Sequence, residues 1–188
     1  MTRPKPDPWL ALTVIGGLGY PFLVYFCLGS IPPALLVVAG LLLIGLRMLG
    51  LRRMAEGKRW LVALAVAALG LIALLALRPE LAVKAYPIAV SLSVAAVFAL
   101  SLRFPPTVIE RIARLSEPDL PPEGVAYTRR VTMVWVGFLL GNAAVSAVTA
   151  LWGSIEAWTL WNGLLSYLAM GSLFAGEFLV RRRLRRAA

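Results

Sequence analysis

The chain has no histidine, a single cysteine and only nine acidic residues among its 188. Without histidine, a metal site built from nitrogen and sulfur ligands cannot be assembled, and an imidazole relay for acid–base or nucleophilic chemistry is missing. The lone Cys27 permits no internal disulfide, lacks a lipoprotein-type context upstream, and reads as a buried, inert thiol. There is no Gly-rich phosphate loop followed by Lys-Ser/Thr, and Asp and Glu do not cluster on one helix. Charged residues make up 15% of the chain and hydrophobic ones 60%, with a mean hydropathy of +0.83. That balance excludes an ordinary soluble globule and a disordered chain. The net charge of +10 would suit a nucleic-acid partner if the basic residues formed one patch. They flank apolar runs instead, so no nucleic acid is expected.

What is abundant is apolar sequence in long runs. A hydrocarbon core about 30 Å thick takes roughly 20 apolar residues of helix to cross. Six segments meet that requirement: 9–29, 31–50, 60–77, 86–102, 131–153 and 157–180. Residues 35–44 are apolar on every face, whereas a barrel strand alternates, so helices are expected throughout. The fold class is thus all-α: a polytopic membrane helix bundle with six transmembrane helices, forming one integral membrane domain over 1–188. Cytoplasmic loops retain Lys and Arg. With six spans threaded in order, only Arg78 and Lys84 fall on the side opposite the other basic residues. This places both termini in the cytoplasm. Trp9 and Trp60 sit at inner span ends and Trp152 and Trp158 at outer ends, the level that indole prefers. The first run is long for a cleaved signal and no small-x-small site follows it, so it is expected to stay as an anchor.

Several features stand out within this frame. Pro32 and Pro33 suit the first turn of the second span, making a tight hairpin with the first, and Pro21 should bend the first span. Gly137 and Gly141 form a GxxxG pair that lets another helix approach. Asn142, Ser146 and Thr149 recur at helical spacing on the fifth span, and Thr159, Asn162 and Ser166 do so on the sixth, so two polar stripes could face each other. Such stripes serve either as interhelical hydrogen bonds or as a groove for a polar group. Glu177 precedes Arg181 by four residues, the favourable order for an ion pair on a helix. Arg182, Arg183, Arg185 and Arg186 extend a basic tail suited to anionic lipid headgroups.

The longest loop, 103–130, has its own pattern. Thr107 and Glu110 have capping-box spacing, and Val108, Ile109, Ile112 and Leu115 make an apolar stripe against Glu110, Arg111 and Arg114. This predicts a short amphipathic helix on the cytoplasmic membrane face. Residues 116–124 are acidic and proline-rich and are expected to be extended, as a linker or a docking segment. The centre of every span lacks an ionisable residue, which weighs against ion-coupled pumping.

Three stretches of the second half carry a resemblance: 104–115 with 117–122, Tyr127-Thr-Arg-Arg130 leading to Trp135 and Asn142, and 174–181. Together they resemble a family of small proteobacterial inner-membrane proteins. Its members accompany acyl-carrier-protein, ketosynthase and acyltransferase genes of aryl-polyene or xanthomonadin-type pigment clusters, which implies an accessory role. The pattern of Trp135, Phe138, Asn142 and Trp158 is also distantly similar to the intracellular septation protein A family, tied to envelope maintenance. The Arg-rich tail and the proline loop depart from that pattern. Neither resemblance implies a catalytic residue.

The expected function is a non-catalytic accessory or scaffold protein supporting lipid or polyene-lipid assembly or envelope maintenance. It would have no cofactor, and membrane lipids, an enzyme partner or a second copy of itself as candidate partners. The alternative is a small transporter of lipids or hydrophobic intermediates working through the polar stripes. A membrane-embedded enzyme would have to rely on Glu156 and Glu177.

Overall fold

In hydrocarbon an unpaired amide or carbonyl finds no water, so an apolar chain closes its backbone hydrogen bonds within helices. The computed structural model describes residues 8–51 and 57–187, with side chains placed within 15–48, at 58 and within 60–182. It is all-helical among these residues: α1 (Pro8–Cys27), α2 (Pro33–Leu51), α3 (Gly57–Leu77), α4 (Pro79–Arg103), α5 (Val108–Arg114), α6 (Pro122–Trp152), α7 (Ile155–Leu160) and α8 (Ser166–Ala187). A π turn, Trp161–Leu165, joins α7 to α8 without a break. Four helical segments are long and apolar enough to cross a membrane: Trp60–Leu77, Pro79–Arg103, Pro122–Trp152 and Ile155–Arg182. Two more apolar helical segments, Ile15–Cys27 and Pro33–Met48, are shorter over the residues whose side chains are placed.

The outer surface is as apolar as the core. Phe26, Val66, Leu69, Leu77, Leu168 and Phe178 all point outward and are exposed. A water-soluble protein rarely presents such a continuous apolar exterior, whereas lipid tails solvate it. The core lies where α1, α2, α3 and α4 meet, around Tyr20, Val24, Leu36, Val37, Leu64, Val83 and Tyr86. The most extensive helix pairs are α4 with α6 and α4 with α3.

Connections are short and built by proline and glycine. Between α1 and α2 the N–H groups of Ser30 and Ile31 both donate to the Cys27 carbonyl. Gly29 makes this turn with φ +95°, a conformation only glycine adopts without strain. Pro33 opens α2 at its first turn, where a missing N–H costs nothing.

Two helix starts differ from the sequence expectation. The fourth span was expected from residue 86, but α4 begins at Pro79, with Arg78 alone separating it from α3. Arg78, Glu80 and Lys84 read as loop because they are charged. At a helix end, however, Glu80 favours the positive N-terminal dipole, and long basic side chains bury their stems while keeping their heads wet. Likewise, residues 116–124 are not extended throughout, because α6 begins at Pro122. Proline at the first helical position with Glu123 beside it starts a helix, so the acidic proline pattern carried a helix signal as well as a loop signal.

The capping box of α5 is complete: Thr107 Oγ1 accepts from the Glu110 N–H at 3.2 Å, and the Glu110 carboxylate accepts from the Thr107 N–H at 3.4 Å. Glu110 and Ala113 are the buried residues, while Ile112 and Leu115 are exposed. Glu110 can be buried because Arg114 grips it through Nε and Nη2 at 3.0 and 2.9 Å, and Arg114 also donates to the Pro118 carbonyl. Ser101 and Arg129 tie the same corner to α4 by bonds to the Val108 N–H and the Leu102 carbonyl. Thr107→Ala should cost about 1 kcal/mol of stability, with Thr107→Ser near neutral, measured by denaturant unfolding in detergent.

Candidate functional site

The two polar stripes occupy the region where α6 meets the α7–α8 helix. Ser146 donates to Asn162 Oδ1 at 2.7 Å, and Asn162 Nδ2 donates to the Trp158 carbonyl at 2.8 Å. Asn142 accepts from Trp161 Nε1 at 3.1 Å and donates to Ser91 Oγ on α4 at 3.0 Å. Three helical segments are thus stitched by two asparagines. The remaining stripe residues behave differently. Thr149 bonds back to its own helix, at the Val145 and Ser146 carbonyls. Ser166 makes a 3.5 Å contact with the Asn162 carbonyl. The Thr159 hydroxyl is buried with no partner among the described residues. The π turn widens the backbone at Trp161–Leu165, and Gly163 within it lets the Phe22 ring of α1 lie against the chain, where a Cβ would be 3.0 Å from ring carbons.

Asn142, Asn162 and Ser166 all line a cavity of about 400 Å³. Its wall combines α1, α2, α4, α6 and α8, and α5 contributes Ile109 and Ile112 at one end. Most of the lining is apolar: Leu18, Val90, Val94, Phe98, Leu139 and Met170 form its body. Trp135 and Phe174 also line it, their rings tilted by 55° with centroids 4.5 Å apart. A mostly apolar cavity of this size with a few convergent polar groups is the usual form of a small-molecule site.

Three further polar groups of the cavity were not foreseen: Arg47, Tyr86 and Tyr167 line it together. Arg47 Nη2 lies 3.1 Å from where a Cβ on Gly17 would stand, and the Tyr167 hydroxyl lies 4.0 Å from the same point. Gly17 is the tenth residue of the twenty-residue α1, so the guanidinium reaches the middle of that helix. Arg47 is close to the end of α2, and in a helix the Cα–Cβ bond tilts toward the N-terminus, which carries a long side chain back into the bundle.

A repeated Tyr-Pro dipeptide could have revealed this region. Pro87 has no N–H, so the Val83 carbonyl one turn earlier loses its helical donor. The Tyr20 hydroxyl takes that place at 2.9 Å, with its ring 4.4 Å from that of Tyr86. Pro21 likewise leaves the Gly17 carbonyl without a helical donor, on the turn of α1 that Arg47 approaches. Pro21 itself lines the cavity. The Tyr86 hydroxyl is buried and has no hydrogen-bond partner among the described residues.

Other expected sites lie apart. Trp158 was placed at the outer headgroup level but is fully buried, its indole donating to the Lys84 carbonyl at 3.2 Å. Indole follows a buried carbonyl acceptor as readily as a headgroup, and α4 supplies one because it starts early. Trp152, by contrast, is exposed. Glu177 and Arg181 of α8 both lie near the Tyr127 side chain of α6. Arg182 is exposed, whereas the side chains of Arg183, Arg185 and Arg186 lie outside the described residues. Gly137 and Gly141 meet nothing within 4 Å of a built Cβ, so no helix of the described chain uses the GxxxG face. Cys27 is half-buried and free. Glu156 and Glu177 are separated by about 31 Å of helix at 1.5 Å per residue, too far to act on one atom. No group of three or more His, Cys, Asp or Glu that could hold a metal occurs among the described residues.

No protein-family model, curated protein or solved structure matches this chain.

Proposed function

We propose that the chain is a six-span inner-membrane protein with both termini cytoplasmic that binds a lipid or hydrophobic intermediate within its bundle and passes it across or along the membrane. The observation that carries this reading is the cavity, apolar along its body and lined at one side by Asn142, Asn162 and Ser166. The acyl and polyene setting that the family resemblance implies would supply ligands of the same chemistry. The basic tail would hold the chain near anionic headgroups.

Asn142→Leu and Asn162→Leu test the reading. Each removes two hydrogen bonds worth about 0.6 to 2 kcal/mol apiece in a membrane interior. In proteoliposomes carrying NBD-labelled lysophosphatidylglycerol, the wild type should accelerate dithionite bleaching of the inner leaflet. Either variant should insert and accumulate yet slow that movement about tenfold, the equivalent of 1.4 kcal/mol. Wild-type rates in both variants would refute the role of the cavity.

The accessory or scaffold reading has one specific observation in its favour. Leu115 is 85% exposed at the end of α5, beside the proline segment that Arg114 anchors at Pro118. Leu115→Asp should abolish capture of a cytoplasmic partner if that surface docks one.

A further inference from the structure

In a six-span bundle the Arg47 that lines this cavity would be a cation with little water around it. Arg47, in the described chain, has no ion pair with a carboxylate, and its guanidinium lies against the midpoint of α1. A charge at that depth is costly unless paired or hydrated, and intramembrane arginines mark ligand or ion paths for that reason. Beside it stands the buried hydroxyl of Tyr86, which donates to nothing among the described residues although the hydroxyl of its stacking neighbour Tyr20 is satisfied. The Tyr167 hydroxyl approaches the same turn of α1. A planar guanidinium with two nearby O–H donors matches a carboxylate or phosphate, which accepts several bonds from fixed directions. Three further features serve this arrangement. Gly17 has no Cβ to meet Arg47, Pro21 removes the helical donor of the Gly17 carbonyl, and Pro87 beside Tyr86 lines the cavity.

We infer that Arg47, Tyr86 and Tyr167 form the headgroup seat for an anionic single-chain amphiphile whose tail lies along Val90, Val94, Phe98 and Met170. This rests on the ligand-binding reading above and adds the charge and chain number of the ligand. The chain number follows from size: about 400 Å³ lies toward the lower end of ligand pockets, about 300 to 1,000 Å³, which suits one acyl chain with a compact acidic head better than a two-chain phospholipid. Carboxylate and phosphate share the recognition chemistry.

The test uses the full-length protein in nonionic detergent at pH 8 and three radiolabelled probes with the same tail: dodecanoate, dodecyl phosphate and dodecanol. Wild type should bind at least one anionic probe at least tenfold more tightly than dodecanol, and the tighter of the two anions identifies the head. Arg47→Met should remove that preference, and Arg47→Lys should keep part of it, since a point cation lacks the fork. Tyr86→Phe guards against misfolding as an explanation. Its hydroxyl has no partner to lose, so the variant should retain the wild-type melting profile and still weaken the anionic probes severalfold while leaving dodecanol unchanged. Equal binding of all three probes, unaffected by Arg47→Met, would overturn the anionic seat and leave the cavity as a neutral-ligand site. Binding of none of them by wild type would overturn both this inference and the ligand-binding reading.

Discussion

Trp158→Ala should destabilise the bundle by about 3 to 5 kcal/mol, the largest loss expected from any single substitution in the described chain. The side chain is wholly buried in the core cluster, and its indole N–H satisfies the Lys84 carbonyl 74 residues earlier. Alanine removes the largest fully buried side chain, opens a void among α1, α4 and α7, and leaves that carbonyl without its indole donor. Lipid does not repair such a void, because helix association in membranes depends on close packing and not on expulsion of water. Trp158→Phe restores most of the volume but not the donor, so it should cost about 1 to 3 kcal/mol. Reversible unfolding in mixed SDS and mild-detergent micelles measures both. A loss under 1 kcal/mol for alanine would show that the tryptophan faces lipid.

Tyr20→Phe should cost about 1 to 3 kcal/mol, and Pro87→Ala should rescue much of that loss. Tyr20 donates to the Val83 carbonyl at 2.9 Å because Pro87 cannot, and the Leu36 carbonyl lies 3.4 Å from the same hydroxyl. Removing the hydroxyl strands the Val83 carbonyl in an apolar interior, where an unpaired acceptor bears its full desolvation penalty. Alanine at 87 restores a backbone N–H one helical turn below Val83 and closes the normal helical bond. The two substitutions should therefore be strongly non-additive in a double-mutant cycle. Additive losses would mean that the hydroxyl and the proline are unrelated.

Much of the scaffold was legible from composition and spacing. The apolar runs, the capping box of Thr107 and Glu110, and the asparagine stripes all act through local chemistry, and periodicity exposes that. What escaped depended on direction and on partners distant in the chain. Arg47 counted as a flanking cation because it sits near a run's end, and only the tilt of its Cβ carries it inward. Trp158 was assigned to the headgroup level from its rank along the helix, although its carbonyl partner lies on α4. Glu110 was put on the polar face of α5 by its charge, while its clasp by Arg114 makes burial tolerable. Tyr20-Pro21 and Tyr86-Pro87 were visible as a repeated dipeptide, yet its meaning required knowing which carbonyl each proline leaves open.

The central claim is that the bundle carries one amphiphile in its interior. The most direct measurement is native mass spectrometry of wild type and Asn162→Leu released from the same nonionic detergent. The account predicts one retained single-chain adduct per wild-type chain, surviving collisional activation that strips detergent, and its loss from the variant. Bare protein in both, or an identical ladder of two-chain phospholipids on both, would contradict it.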